Sequence, residues 1–256
     1  MEFIDTHAHL YASEFEDDVE EIIQRAKNNG IKRIYLPNID VDTIDVLHKL
    51  VEKDPAFFYP MMGLHPCSVT KYYLKELEKV KVWFDKNTYK AVGEIGIDLY
   101  WDKTLLKEQQ HAFAMQVQWS IDLNLPIVIH ARDSFQEIFD VLKQFNPTDL
   151  RGVFHCFTGT LADYQTITSL GDFFIGIGGV VTYKKSDLPA VLPHIPISRI
   201  ILETDAPYLT PVPFRGKRNE SSYIPHIAEK LADIYQCTLA EVAKVTTANA
   251  LQLFGN

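Results

Sequence analysis

The chain has little cysteine. Three residues in 256, Cys67, Cys156 and Cys237, are widely spaced, odd in number and form no C-x-x-C pair. This excludes a disulfide-stapled scaffold and makes a reducing cytosol the natural setting. Positive charge is also in deficit, with 25 Lys and Arg against 34 Asp and Glu, a net charge of −9. An acidic chain argues against strong non-specific duplex binding through a broad basic face, but not against a nucleic-acid substrate held at a local cationic site. No uncharged run approaches the roughly 18 residues of a membrane span. The strand-like FID begins at once, without the basic and apolar regions of an export signal. The expectation is a soluble cytoplasmic protein with no membrane contact and no obligate protein partner. No low-complexity tract, long linker or composition shift marks a second domain, and no G-x-G-x-x-G follows an early strand.

What is present is a regular alternation. Apolar residues make up 46% and charged residues 23% of the chain, ample for a core. Strand-like runs begin at Phe3 (FID), Ile31 (IKRIYLP), Phe57 (FFYPMMG), Tyr89 (YKAVGEIG), Pro126 (PIVIH), Arg151 (RGVFHCF), Asp172 (DFFIGIGG) and Arg199 (RIILETD). Each is short and apolar along most of its length, as expected of strands buried on both faces. Amphipathic segments lie between them, weakest at SDLPAVLPH. Gly30 and Gly171 are C-cap candidates, and Thr238 with Glu241 forms a capping box opening the last helix. Eight strands alternating with helices at this length predict an α/β fold, a TIM (β/α)8 barrel, as a single domain over residues 1–256.

The polar residues that interrupt these runs fall in one kind of place. His7 and His9 follow the first strand, His65 the third, and Glu94 lies on the fourth. His130 ends the fifth, His155 the sixth, and Glu203 and Asp205 the eighth. Residues two apart on a strand face one side, so the H-x-H pair faces one space. In a closed barrel the C-terminal strand ends form a single ring, where active sites sit. Taken singly, each residue has a structural explanation; together they select the same barrel end. Neutral imidazoles with carboxylates suit zinc, manganese or related divalent ions. His48, His111, His194 and His226 lie in or beside helical segments and read as surface or packing residues.

Together, MEFIDTHAHL, MGLHP, AVGEIGIDLYW, PIVIHARD, GVFHCFTG, IILETDAPYLTP and RGKRNESSY resemble the TatD-type metal-dependent deoxyribonucleases, within the amidohydrolase-like barrels. The blocks occur in family order up to about Tyr223. The resemblance implies that His7 and His9 bind one metal ion with Asp205, and that Glu94 bridges to a second held by His130 and His155. It places His65, Arg132, Asn219 and Glu220 at other recurrent positions, here expected at the substrate. Two departures stand out. The family's N-E-P reads N-E-S at Asn219 to Ser221, and GIGGVVTY lacks the threonine or serine usual before its glycine pair.

The implied cofactors are two divalent metal ions, zinc, manganese, magnesium or nickel. They bring about +4 against −2 from Glu94 and Asp205, so the filled pocket is cationic within an acidic chain. The expected activity is hydrolysis of DNA phosphodiesters, at single strands or ends, by metal-activated water. Asp205 is the expected group for orienting that water, with Glu203 as substitute. Arg215, Lys217 and Arg218 form a basic loop, and Tyr100, Trp101 and Tyr208 fall in βα loops where rings could stack on unpaired bases. Two alternatives stand: a hydrolase of a small amide, ester or lactone, and a non-catalytic binding barrel.

Overall fold

Short runs of β-branched and aromatic residues, apolar on both sides, set the strands. The computed structural model describes residues 1–255; Asn256, the last residue of the expected single domain, lies outside the described residues. The strands are β1 (Phe3–Asp5), β2 (Ile31–Pro37), β3 (Phe58–Met61), β4 (Val92–Asp98), β5 (Ile127–Arg132), β6 (Arg151–Phe154), β7 (Asp172–Ile177) and β8 (Ile200–Leu202). The helices are α1 (Val19–Asn28), α2 (Ile44–Lys53), α3 (Tyr73–Lys81), α4 (Leu106–Asp122), α5 (Phe135–Leu142), α6 (Leu161–Leu170), α7 (Leu188–Val191), α8 (Ile224–Tyr235) and α9 (Leu239–Phe254). All strand pairings are parallel, in the orders β1-β2-β3 and β4-β5-β6-β7-β8.

Backbone hydrogen bonds join the two ladders at both seams. Between β8 and β1, Thr6 N donates to Leu202 O at 3.0 Å, and His9 N to Ala206 O at 2.7 Å. Between β3 and β4, Gly93 N donates to Met62 O at 2.9 Å. The result is the expected TIM-barrel-like α/β fold.

The interior confirms the ring. One buried cluster unites Ile4, Tyr35, Met61, Ala91, Val128, Val153, Phe174 and Ile201, from each strand or the residue beside it, with Ala250, Leu253 and Phe254 of α9. Side chains so placed fill the barrel, and α9 stops its N-terminal end. Alternate strand residues such as Ile127, Ile129, Phe154 and Ile175 join the larger layer between sheet and helices. Two residues beyond Val128 and Val153 come His130 and His155, on the same strand face and one layer higher.

Local signals behave as their chemistry dictates. Thr238 and Glu241 form the expected reciprocal capping box of α9, and Thr160 with Asp163 forms another on α6. Such a cap contributes about 1 kcal/mol. The weak seventh helix is a single turn: Pro189 is tolerated in its first turn, where no amide donor is needed, but Pro193 just beyond Val191 lacks the amide that would continue it. Gly30 has φ +83°, which a side chain rarely adopts, and a Cβ there would lie 2.5 Å from Met1 O. The eighth strand ends at Leu202, yet Glu203 N still donates to Ile177 O at 3.2 Å and Asp205 N to His7 O at 2.9 Å, so both backbones stay tied to the neighbouring strands.

Candidate metal centre

The barrel gathers His7, His9, Glu94, His130, His155 and Asp205 at the C-terminal ends of its strands. Glu94 reaches the interior by an irregularity. Ala91 belongs to the interior cluster, so strict alternation would turn Glu94 outward. The register of β4 against β5 shifts between Val92 and Ile95, and Ile95 accordingly joins the outer layer. An extra residue of this kind re-aims a side chain.

Glu94 is almost fully buried, and its two oxygens face different donors. Oε2 lies 3.1 Å from His7 Nε2 and 3.5 Å from His9 Nε2. Those two nitrogens are 3.2 Å apart and lie 3.7 and 3.6 Å from Asp205 Oδ1. Oε1 lies 2.9 Å from His130 Nδ1 and 2.7 Å from His155 Nε2, which are 3.3 Å apart. Donor atoms around a tetrahedral zinc at its usual bond lengths are separated by about 3.3 Å. The donor sets therefore have the spacing of coordination polyhedra, and the His, Glu and Asp groups are positioned to bind metal ions.

On His9, His130 and His65 the proton is set by the partner on the far side of the ring. Tyr11 donates its hydroxyl to Pro37 O at 2.5 Å, so its oxygen accepts from His9 Nδ1–H at 3.0 Å and His9 Nε2 keeps a lone pair. Asp98 Oδ2 accepts from His130 Nε2–H at 2.8 Å, leaving the Nδ1 lone pair toward Glu94. His155 Nδ1 lies 3.5 Å from Glu203 Oε1, with Nε2 toward the centre. His65 has the opposite arrangement. Its Nδ1 accepts the Cys67 amide at 3.0 Å, so the neutral ring carries its proton on Nε2, 3.4 Å from Glu94 Oε1. His65 is therefore built to donate a hydrogen bond rather than to coordinate an ion.

Burial alone would raise the Glu94 carboxyl, but the fields of His155, His65 and His7, with the His130 hydrogen bond, hold it well below the usual carboxylate range. Asp205 is lowered for the same reason, burial being outweighed by its His9 hydrogen bond and the charges of His7 and His155. Burial pushes His7 and His65 down. Asp98 is brought to about 2, because hydrogen bonds from His130 and two backbone amides outweigh its desolvation.

A second polar layer lies behind the ligand nitrogens. The His7 and His155 rings stack at 3.9 Å, within 8° of parallel. His7 Nδ1, His155 Nδ1 and Glu203 Oε2 are buried with no hydrogen-bond partner in the protein. His7, His155 and Glu203 offer donor atoms within 4.8 Å of one another. Glu203, expected as a catalytic substitute, is 1% exposed and accepts the Cys156 amide at 2.5 Å. It sits behind the centre, outside the cavity lining.

That cavity, of about 620 Å³, opens over the centre and is lined by His9, Glu94, His130, His155 and Asp205 together with His65, Asp98, Trp101, Arg132 and Tyr208. Asn219 and Glu220, expected at the substrate, are not among the residues lining that cavity. Asn219 is buried and donates to Thr204 O and Tyr208 O at 2.8 and 2.6 Å. Glu220 accepts a two-pronged pair from Arg25 at 2.9 and 2.8 Å. Both brace the loop after β8, because their polar atoms are consumed within the protein. Arg218 pairs with Asp18 at 2.5 Å, so part of the basic loop is also internally committed. His48 and His111 contact tyrosine hydroxyls, at 2.9 and 2.6 Å, as packing histidines do. Asp98 and Tyr11 were not singled out from sequence. Asp98 had a signal, since it follows Glu94 by four positions and shares its strand face.

A parallel α/β barrel with buried His and Glu groups positioned to bind metal ions at its C-terminal rim has the form of a metal-dependent hydrolase scaffold. The chain belongs to the TatD related DNase family, which matches residues 4–255. It is 38% identical over 251 residues to the uncharacterized metal-dependent hydrolase YabD of Bacillus subtilis, covering 98% of each chain. It is 30% identical to the 3'-5' ssDNA/RNA exonuclease TatD of Pectobacterium parmentieri, again covering 98% of each. The crystal structure of the TatD homologue YJJV from Escherichia coli superposes with a TM-score of 0.91 at 28% identity, covering 99% of this chain and 98% of the other. The chain is a metal-dependent hydrolase of the TatD family.

Proposed function

We propose that residues 1–255 work as one phosphodiesterase unit that hydrolyses DNA, at single strands or ends, with two divalent cations. The observation that carries this reading is the division of Glu94: one oxygen faces His7 and His9, which Asp205 also approaches, and the other faces His130 and His155. Those residues would hold the ions, with Glu94 between them. Bound divalent cations supply Lewis acidity and bring the pKa of a water toward neutrality. Asp205, half-buried at the cavity floor, accepts the proton of the attacking water. His65 directs its Nε2–H, and Arg132 its guanidinium, at the phosphate. Asp98 and Tyr11 fix the rings of His130 and His9, and Glu203 supports His155 from behind. The exonuclease name carried by the Pectobacterium relative supports a nucleic-acid substrate.

Incubation with labelled single-stranded DNA and Mg²⁺ or Mn²⁺ is expected to release nucleotides. Cleavage of an amide, ester and lactone panel without nucleotide release would overturn the phosphodiesterase reading in favour of a small-substrate hydrolase. Glu94→Ala is expected to abolish activity and lower bound metal, measured by elemental analysis, which also identifies the ion as zinc, manganese, magnesium or nickel. Full metal content in that variant would sink the bridging role.

A further inference from the structure

The mouth of the cavity is unusually aromatic and exposed. Trp101 is 71% exposed, Tyr100 54% and Tyr208 51%. Trp101 and Tyr208 line the cavity beside the metal-binding groups, and the Tyr208 ring lies 6.4 Å from that of His9. At such exposure the Trp101 ring contributes little packing to its own loop, yet leaves a large apolar surface in water. Arg132 stands against the same loop, its guanidinium carbon 3.8 Å from the Tyr100 ring centre and 5.4 Å from that of Trp101. Among the described residues no carboxylate forms a salt bridge with it. Stacking therefore orients this cation while its N–H groups stay available.

The rim is anchored to the centre through one carboxylate. Asp98 Oδ1 accepts the amides of Tyr100 and Trp101 at 3.0 and 3.2 Å, while Oδ2 accepts from His130 at 2.8 Å. Gln109 clamps the Asp98 backbone from below, accepting its amide at 2.8 Å and donating to its carbonyl at 3.2 Å. The aromatic loop thus has a set position relative to His130.

A flat apolar surface beside a free guanidinium and a cation-binding centre fits a ligand that joins a planar ring to a phosphate. We propose that Trp101 and Tyr208 are stacking surfaces for an unpaired nucleobase, and that Arg132, seated on Tyr100, takes the adjoining phosphate. A base inside a duplex has both faces covered by its neighbours, and the chain's net charge of −9 offers no broad basic face in compensation. This inference rests on the phosphodiesterase reading and names the side chains that hold the base and phosphate of its substrate.

The test uses the metal-loaded full chain and two probes: a single-stranded oligothymidylate, and the same oligomer with base-free tetrahydrofuran sugars in its terminal residues. The wild type is expected to show a lower KM for the thymidylate by roughly 5- to 100-fold, the range of one base-stacking contact. Trp101→Ala should erase that ratio with little change in kcat on thymidylate, and Trp101→Phe should keep most of it. Oligothymidylate should also quench wild-type tryptophan fluorescence, with the quenching lost in Trp101→Phe although Trp83 and Trp119 remain. An unchanged KM ratio in Trp101→Ala, or equal shifts on both probes, would overturn the base site. Quenching through Trp101 without turnover of either probe would leave the base site standing and sink the phosphodiesterase reading; absence of both quenching and turnover would sink the two together.

Discussion

Gly176 on β7 provides a way to disturb the centre without altering a polar group. A Cβ at this position would lie 2.2 Å from Glu203 Oε2, 2.9 Å from its Cδ and 3.1 Å from His155 Cα. The backbone there is not left-handed, so Gly176→Ala acts by contact alone. Relief requires the carboxylate to retreat by about 1 Å or more. Retreat draws Oε1 away from the Cys156 amide at 2.5 Å and from His155 Nδ1 at 3.5 Å. Loss of a supporting partner behind a metal ligand costs about 10- to 100-fold in affinity, or about 1.4–2.8 kcal/mol. Overpacking should also lower the stability of the metal-free protein by about 1–3 kcal/mol.

The assay is metal titration of Gly176→Ala, Glu203→Gln and the double variant, with denaturant melts of each metal-free protein. If the alanine acts through Glu203, the double variant loses no more affinity than the worse single one, because the two share one interaction. Additive losses, or wild-type affinity in folded Gly176→Ala, would refute the claim that Glu203 supports the centre.

Tyr11→Phe leaves His9 Nδ1–H without its acceptor and should weaken metal binding about 10-fold, read by competition with a chelating dye while the fold is retained. Phe154→Ala removes a fully buried ring packed edge-on to Phe173, 5.3 Å away, and should cost about 3–5 kcal/mol in urea unfolding. The Asp18 carboxyl is lowered, chiefly by the Arg218 hydrogen bond, so its contribution to stability is present above its ordinary value of 3.8 and disappears as pH falls through the lower folded value. Melting followed between about pH 5 and pH 2 should fall less steeply for Asp18→Asn than for the wild type. Equal slopes would mean the pair adds nothing.

Much of this architecture is legible before folding. Short apolar runs such as IVIH and GVFH mark strands buried on both sides, and their alternation with amphipathic segments predicts the barrel. The capping box at Thr238 and Glu241 needs only residues three apart. The histidines were legible because each interrupts an apolar run at its C-terminal end. The internal partners of Asn219 and Glu220 were not legible, because sequence places the loop after β8 without saying whether its polar atoms face outward or into Thr204, Tyr208 and Arg25. The proline-shortened α7 stops for want of the amide that Pro193 lacks, a local effect that a pattern of apolar spacing underweights.

By itself, then, the order of residues determined the strand count, the helical connections and which polar groups stand at strand ends, since these follow from local chemistry and short-range periodicity. Only the tertiary structure decided that β4 breaks register so that Glu94 turns inward, that Asp98 ties the aromatic rim to His130, and that His65 donates a proton where its neighbours offer lone pairs. Those outcomes depend on atoms brought together from strands far apart in the chain, and no local pattern carries the identity of a partner that arrives only when the ring closes.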